Sequence, residues 1–219
     1  MINQELLFPT PIWWKDFDLD TDKLTDICHQ IREEFDGIVR SNVGGYQSKD
    51  LNGEHLLTVD DELGKLARNL KDMAENLYAR FEPQGTRVEM ANLWININHG
   101  QDYNVTHTHP GAVLSGAYYV TAPENAGEIT FLRDHASAFN ISSCGTMEDF
   151  AQGSSQPWQW NQFMYPPVAN RCIMFPAWLP HRVERSESVD ERISISFNFV
   201  PRQMYDKIVY GAVTRINEC

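Results

Sequence analysis

Two stretches of strict alternation constrain this chain more than any other feature. In ERISISFNFV, residues 191–200, Ile193, Ile195, Phe197 and Phe199 fall on one side and Arg192, Ser194, Ser196 and Asn198 on the other. In RVEMANLWININ, residues 87–98, Ala91, Leu93, Ile95 and Ile97 alternate with Asn92, Trp94, Asn96 and Asn98. A period of two marks a β-strand with one face in a core. On an exposed sheet the second face would be ordinary solvation. Inside a barrel, its guanidinium, hydroxyls and carboxamides make a polar binding surface, where an arginine can clamp a carboxylate through two parallel hydrogen bonds.

Further strands are expected at 104–109, 113–121, 127–132, 171–176 and 180–184, with Pro123, Gly127, Pro166, Pro167, Pro176 and Pro180 between them. The chain ahead of them reads differently. Leu24, Ile27, Cys28, Ile31, Phe35 and Ile38 recur at helical spacing, with Thr21 or Asp20 as the cap. Residues 41–57, rich in Gly, Asn and Ser, read as a loop. A second helix is expected with Thr58 as its cap and Asp61 three residues on, its apolar face running from Val59 through Leu63, Leu66, Leu70, Ala74 and Leu77 to Phe81. Helices followed by seven or eight short strands predict a mainly β, α+β chain: an antiparallel barrel or double-sheet jelly roll with N-terminal helices packed outside. The interval 133–168 is long and weakly periodic, as lids and binding segments are. Trp158 and Trp160 within it are expected to anchor that loop.

At 219 residues, 42% hydrophobic and 22% charged, the chain is expected to fold around a packed core. A net charge of −12 argues against broad binding to duplex nucleic acid or anionic membranes, which need a basic surface. No apolar run approaches the roughly 20 residues that span a bilayer. The opening MINQELLFPTPIWW lacks the basic-then-apolar order of a secretory signal, so a cytoplasmic location is expected. Cys28, Cys144, Cys172 and Cys219 are scattered without a CxxC pair and read as thiols in a reducing compartment.

The chemistry gathers in NVTHTHPGAVLSGAYYV, residues 104–120. His107 and His109, two apart in an expected strand, leave the sheet on one face, and two imidazoles aimed the same way begin a metal site. His181 in FPAWLPHRVERS is the candidate third ligand. A lone strand histidine is usually a core or surface residue. Three in HxH…H order, with Arg192-x-Ser194 on a matching face, point to a metal instead. His29, His55, His99 and His135 have no such company and are expected on surfaces or loops. The acidic run Glu184, Glu187, Asp190 and Glu191 reads as a solvated hairpin. There is no Gly-rich phosphate loop and no GxSxG elbow.

His181, Arg192 eleven positions on and Ser194 two further resemble the distal signature of Fe(II)/2-oxoglutarate-dependent oxygenases. SGAYYV, APENAGEITF and CIMFPAWLPHRVERS are similar to strands of the prolyl-hydroxylase-like members, and the HxH motif resembles a small branch of that superfamily. The resemblance covers about residues 88–200. It implies a double-stranded β-helix in a single domain: 1–86 as helical support, 87–200 as a jelly-roll core with the 133–168 insert, and 201–219 as a tail. It implies Fe(II), 2-oxoglutarate and O2, with His107, His109 and His181 on the iron. Arg192, helped by Ser194 and Tyr119, would take the far carboxylate of 2-oxoglutarate, with Asn98 and Asn198 as further candidates facing it. The position that usually holds a carboxylate is His109. Either three histidines bind the metal, or His109 stands behind the site and Glu128 or Asp134 supplies a carboxylate. The implied reaction is hydroxylation of an unidentified small molecule or side chain. Two alternatives stand beside it: a three-histidine cupin-like dioxygenase without 2-oxoglutarate, and a non-catalytic jelly roll that binds a metal or small acid. A homodimer through the helices or the tail is a further expectation.

Overall fold

From residue 88 onward nearly every strand steps from one sheet to the other. A computed structural model describes residues 9–51, 53–81, 87–133, 143–152 and 160–205. The elements in order are β1 (Trp13–Asp16), α1 (Thr21–Glu34), β2 (Asn42–Val43), β3 (Tyr46–Gln47), α2 (Gly53–Leu56), α3 (Glu62–Tyr78), β4 (Val88–Asn98) and β5 (Tyr103–His107). There follow β6 (Leu114–Thr121), β7 (Ile129–Leu132), β8 (Ser143–Thr146), α4 (Met147–Gln152), β9 (Trp160–Tyr165), β10 (Arg171–Pro176), β11 (His181–Val183) and β12 (Arg192–Pro201). The major sheet runs β1-β10-β6-β12-β4-β3 and the minor sheet β2-β5-β11-β7-β9-β8. Strands β4, β6, β10 and β12 in one sheet thus interleave in sequence with β5, β7 and β11 in the other, the winding of a double-stranded β-helix. Of these pairings only β8 with β9 is parallel.

The alternation of β12 decides what faces what. Ile193, Ile195, Phe197 and Phe199 join Leu93, Ile95, Ile97, Tyr118 and Met174 in the larger core, packed against Leu24 and Cys28 of α1 and Leu66, Leu70 and Ala74 of α3. Each such side chain contributes roughly 1.5–3 kcal/mol on burial. The helices therefore cover the outer face of the major sheet. Between the sheets lies a smaller cluster of Tyr119, Ile129, Phe131, Tyr165, Ile173, Phe175 and Leu179, and the polar face of β12 looks into this gap.

Several expectations need correction. The second helix does not begin at Thr58. Thr58 donates to the His55 carbonyl at 2.7 Å and closes α2, and Asp61 caps α3 by accepting the Gly64 N–H at 2.7 Å. Of the two candidate caps for α1, Asp20 serves, accepting the Lys23 N–H at 3.1 Å. The span 41–57 is not simply a loop, because β2 joins the minor sheet and β3 the major one, tying both together at one end. Nor is β4 strictly alternating. Asn92 pairs with Asn198 and Met90 with Phe199, so Ala91 is the extra residue of a β-bulge. The bulge turns Ala91 outward and puts Val88 and Met90 in the core.

The insert contains β8, α4 and β9, and Trp160 is buried there beside Phe163 at 5.4 Å between ring centres. Trp158, Asp134, His135, Cys219 and the tail beyond 205 lie outside the described residues. Glu191 is more than a solvated charge, since it takes Arg32 at 2.6 Å and His29 at 2.8 Å, both from α1. Cys28, Cys144 and Cys172 are free thiols. Among the described residues no helix is long and apolar enough to cross a membrane.

Candidate metal centre and anion pocket

His107 ends β5 directly opposite His181 at the start of β11. The register between these strands slips, because the four residues from Asn104 to His107 face the three from His181 to Val183. This bulge puts Asn104 and His107 on the same inner wall despite their odd spacing. His109 lies just past the strand, where its backbone N–H donates to the Ala177 carbonyl at 3.0 Å, and the Ala112 N–H closes the turn on the His109 carbonyl. The expected strand over 104–109 therefore stops short, but the pair still converges. The ring centroids stand 4.4 Å apart for His107–His181, 4.9 Å for His107–His109 and 5.1 Å for His109–His181. One ring nitrogen from each lies within 4.8 Å of the others.

Tautomers follow from backbone contacts. His107 Nδ1 lies 2.8 Å from the Val105 carbonyl and His181 Nδ1 2.9 Å from that of Leu179, so each Nδ1–H donates there. Each ring then presents the bare lone pair of Nε2 to the shared space, which is how metal-binding imidazoles are usually oriented. Burial pushes His181 down to about 3 and His109 down to about 4, with the neighbouring imidazoles adding to the effect. His107 is also lowered by burial, against the opposing pull of its bond to Val105. Neutral imidazoles are the form that binds a metal.

The same cavity holds a second group. Arg192, 2% exposed, lines it with Ser194, Ser196, Asn96, Tyr119 and Trp94. Its Nη1 donates to the carbonyls of Ala126 at 2.7 Å and Gly127 at 2.9 Å, and its Nε is buried without a partner. Asn125 and Gly127 sit at φ 59° and 81°, in the turn that offers those carbonyls. No carboxylate among the described residues forms an ion pair with Arg192. Burial lowers its pKa, yet a guanidinium stays charged at neutral pH. A buried unpaired cation beside a cavity fits an anion. Burial also raises the Tyr119 phenol to about 12, despite the pull of Arg192, so it offers an intact O–H.

The remaining candidates separate. Ser194 pairs across β12 with Tyr119 on β6 and with Asn96 on β4, placing all three on the cavity wall. Asn98 lies off that wall, because its Nδ2 donates to Asn42 Oδ1 at 2.6 Å under the β2–β3 connection. Asn198 is taken up by Ser115 Oγ at 2.6 Å and Asn92 Oδ1 at 2.8 Å. Glu128 lines a separate cleft with Arg182, Glu184 and Arg185. The described residues therefore bring no carboxylate to the histidines. Ser41 and Asn104 complete the wall, joined by a 3.3 Å hydrogen bond, and sequence reading missed both. The one signal for Asn104 was its place three residues before His107, which a period of two assigns to the wrong face.

The fold is that of the double-stranded β-helix oxygenases which the sequence resembles, and the comparisons with known proteins point the same way. The family model described as "Putative 2OG-Fe(II) oxygenase" matches residues 92–198, just under half of the chain and the part that holds every residue of the cavity except Ser41. Among solved structures the chain is similar to the epimerase SnoN in complex with Fe3+, alpha ketoglutarate and nogalamycin RO: 15% identity, 87% of this chain and 79% of that one, TM-score 0.58. It is also similar to a Pseudomonas putida prolyl-4-hydroxylase, at 14% identity over 87% and 92% of the two chains with TM-score 0.51. A Trichoplax adhaerens prolyl hydroxylase in complex with a hypoxia inducible factor oxygen degradation domain peptide fragment matches at 11% identity over 89% and 85%, TM-score 0.57. At these identities the likeness is one of fold. No curated protein matches the chain.

Proposed function

We propose that this chain is a non-haem Fe(II)- and 2-oxoglutarate-dependent dioxygenase that hydroxylates a small molecule or side chain. One observation carries the reading: three neutral imidazoles with convergent nitrogens share a cavity with a buried guanidinium that has no carboxylate partner among the described residues. His107 and His181 would hold the metal through Nε2, their Nδ1–H groups fixed on Val105 and Leu179, with His109 as third ligand. Bound Fe(II), with 2-oxoglutarate and O2, would supply the oxidising chemistry. Arg192 would pair the far carboxylate of 2-oxoglutarate, with the Ser194 hydroxyl and the Tyr119 phenol as neutral donors beside it. The apolar side chains of Phe175 and Ile129 on the same wall would exclude water.

The test is anaerobic titration of the Fe(II)-loaded protein with 2-oxoglutarate, followed by succinate formation in air. Saturable binding is expected. Arg192→Ala should weaken it roughly 30-fold or more, since stripping one partner from a buried charge pair costs about 2 kcal/mol or above. Absence of 2-oxoglutarate binding would exclude this reading, and iron-dependent oxygen consumption without it would favour a dioxygenase that uses Arg192 on the substrate itself.

A further inference from the structure

A relay of side-chain amides runs from the β2–β3 connection to β4, and its far end dictates the near one. Asn42 donates through Nδ2 to the Tyr46 carbonyl at 3.1 Å. A main-chain carbonyl only accepts, so the Asn42 amide turns its Oδ1 to Asn98, whose Nδ2 donates to it at 2.6 Å. The Asn98 Oδ1 is therefore left for another donor. It is buried in a residue that is 0% exposed, and it has no hydrogen-bond partner among the described residues. A buried acceptor left unpaired is costly, and native proteins keep few of them.

The residue opposite Asn98 on β12 is Arg192. Opposed residues of antiparallel strands share a face, with Cβ atoms about 4.5–5.5 Å apart, which both side chains can span. Arg192 is anchored through Nη1, on the Ala126 and Gly127 carbonyls. Its Nε is the one buried side-chain nitrogen without a partner among the described residues. An unpaired acceptor and an unpaired donor thus stand at opposed positions of one strand pair. Asn96, whose Oδ1 is also unpaired on this face, is opposite Ser194 and sends its Nδ2 to Ser196 at 3.1 Å. Burial lowers the Arg192 pKa, and Tyr119 and then Asp102 oppose it. Asp102 is engaged by His99, whose N–H reaches its Oδ2 at 2.9 Å, and it forms no ion pair with the guanidinium. A neutral amide at position 98 can accept the Nε–H without cancelling the charge, whereas a carboxylate there would take the place of an anionic ligand.

We propose that Asn98 is a positioning residue for Arg192, its Oδ1 accepting the Nε–H once an anion is bound. The guanidinium plane is then held at Nη1 and Nε, and Nη2 is left to the far carboxylate of 2-oxoglutarate. The inference rests on the oxygenase reading, and its test separates the two. The full chain is loaded with Zn(II), a diamagnetic stand-in for Fe(II), and titrated with 2-oxoglutarate by calorimetry. The Arg192 Nε–H is followed by NMR of protein labelled with 15N-arginine, its resonance assigned by its loss in Arg192→Met. In wild type, saturation with 2-oxoglutarate is expected to move this resonance downfield and slow its exchange with water. Asn98→Ala should bind 2-oxoglutarate about tenfold more weakly, about 1.4 kcal/mol, and lack that shift. Asn98→Asp keeps the shape of the side chain but supplies a counter-charge, and should weaken binding by about a hundredfold. A purely structural asparagine would leave the bound-state Nε–H signal where it is and would not rank aspartate below alanine. Three results overturn the inference while wild type binds 2-oxoglutarate: equal affinity in Asn98→Ala, the same bound-state Nε–H signal in Asn98→Ala and wild type, or binding by Asn98→Asp as tight as by Asn98→Ala. Failure of 2-oxoglutarate to bind wild type removes the oxygenase reading and this inference with it.

Discussion

At the scale of single residues, Arg192 shows how a site can be read from what a side chain lacks. Two main-chain carbonyls orient it, but they do not neutralise it, and its Nε is unpartnered. Replacing a buried charged group by an apolar one of similar volume is often neutral or stabilising by about 1–4 kcal/mol. Arg192→Met is therefore expected to leave the melting temperature of the ligand-free protein unchanged or higher, as read by calorimetry, while losing 2-oxoglutarate binding. A fall in ligand-free stability of several kcal/mol would mean that Arg192 is structural. For the histidines, His107→Ala, His109→Ala and His181→Ala should each abolish stoichiometric Fe(II) binding by calorimetric titration. If His109→Ala alone retains it, His109 is no ligand. The three histidines and Arg192 do meet in one cavity, although His109 lies past its strand and Arg192 stands on the opposite sheet, so only the face of each residue was legible in the spacing. Asn98 and Asn198 do not join them, because alternation reports the face of a strand and says nothing of position along it. Both sit on the correct face, where Asn42 occupies the first and Ser115 and Asn92 the second. Asn96, on the same face as Asn98, lies on the cavity wall with its Oδ1 buried and unpartnered.

At the scale of elements, the errors of sequence reading fall at caps and bulges, where one residue changes the phase. The S/T-x-x-D pattern at Thr58 and Asp61 offers two plausible caps, and the choice depends on where the chain turns after α2. Gly64 decides it in part, since any side chain there would press on the Val59 and Leu56 carbonyls. Asp61→Ala should therefore cost about 1 kcal/mol by denaturant titration, the usual loss for an N-cap, with the slope unchanged. Thr58→Ala should cost clearly less, the reverse of what the sequence pattern suggests. The bulges at Ala91 and within 104–107 are invisible to a period-two pattern, yet the second one aims His107. Close packing within the major sheet gives another test. A methyl at Gly116 would meet the Ile173 carbonyl and the Phe197 ring, so Gly116→Ala should destabilise by roughly 1–3 kcal/mol.

At the scale of the whole molecule, the fold joins two structures of unequal character. The helices and the outer face of the major sheet form the large apolar core, in which Leu24, Leu66, Leu70, Ile95 and Phe197 are fully buried. The cavity between the sheets is lined by neutral imidazoles and a cation that forms no ion pair with a carboxylate among the described residues. The alternation of β12 made this division legible at the start, because the same strand serves both faces. What the sequence did not show is that the β2–β3 connection ties the sheets together and brings Ser41 to the wall. Because the metal and 2-oxoglutarate would bind between the two sheets in the native state alone, each should stabilise the whole fold by mass action. At a hundredfold excess over its dissociation constant, a ligand adds about 2.7 kcal/mol. Fe(II) alone should raise the anaerobic melting temperature of wild type and of Arg192→Met alike, and 2-oxoglutarate added afterwards should raise it further in wild type only. The proposed site also predicts an order: without metal, 2-oxoglutarate would have Arg192 but no anchor for its oxo-acid end, and its shift should be small. Equal shifts with and without metal would show that the cation and the three histidines do not act on one ligand.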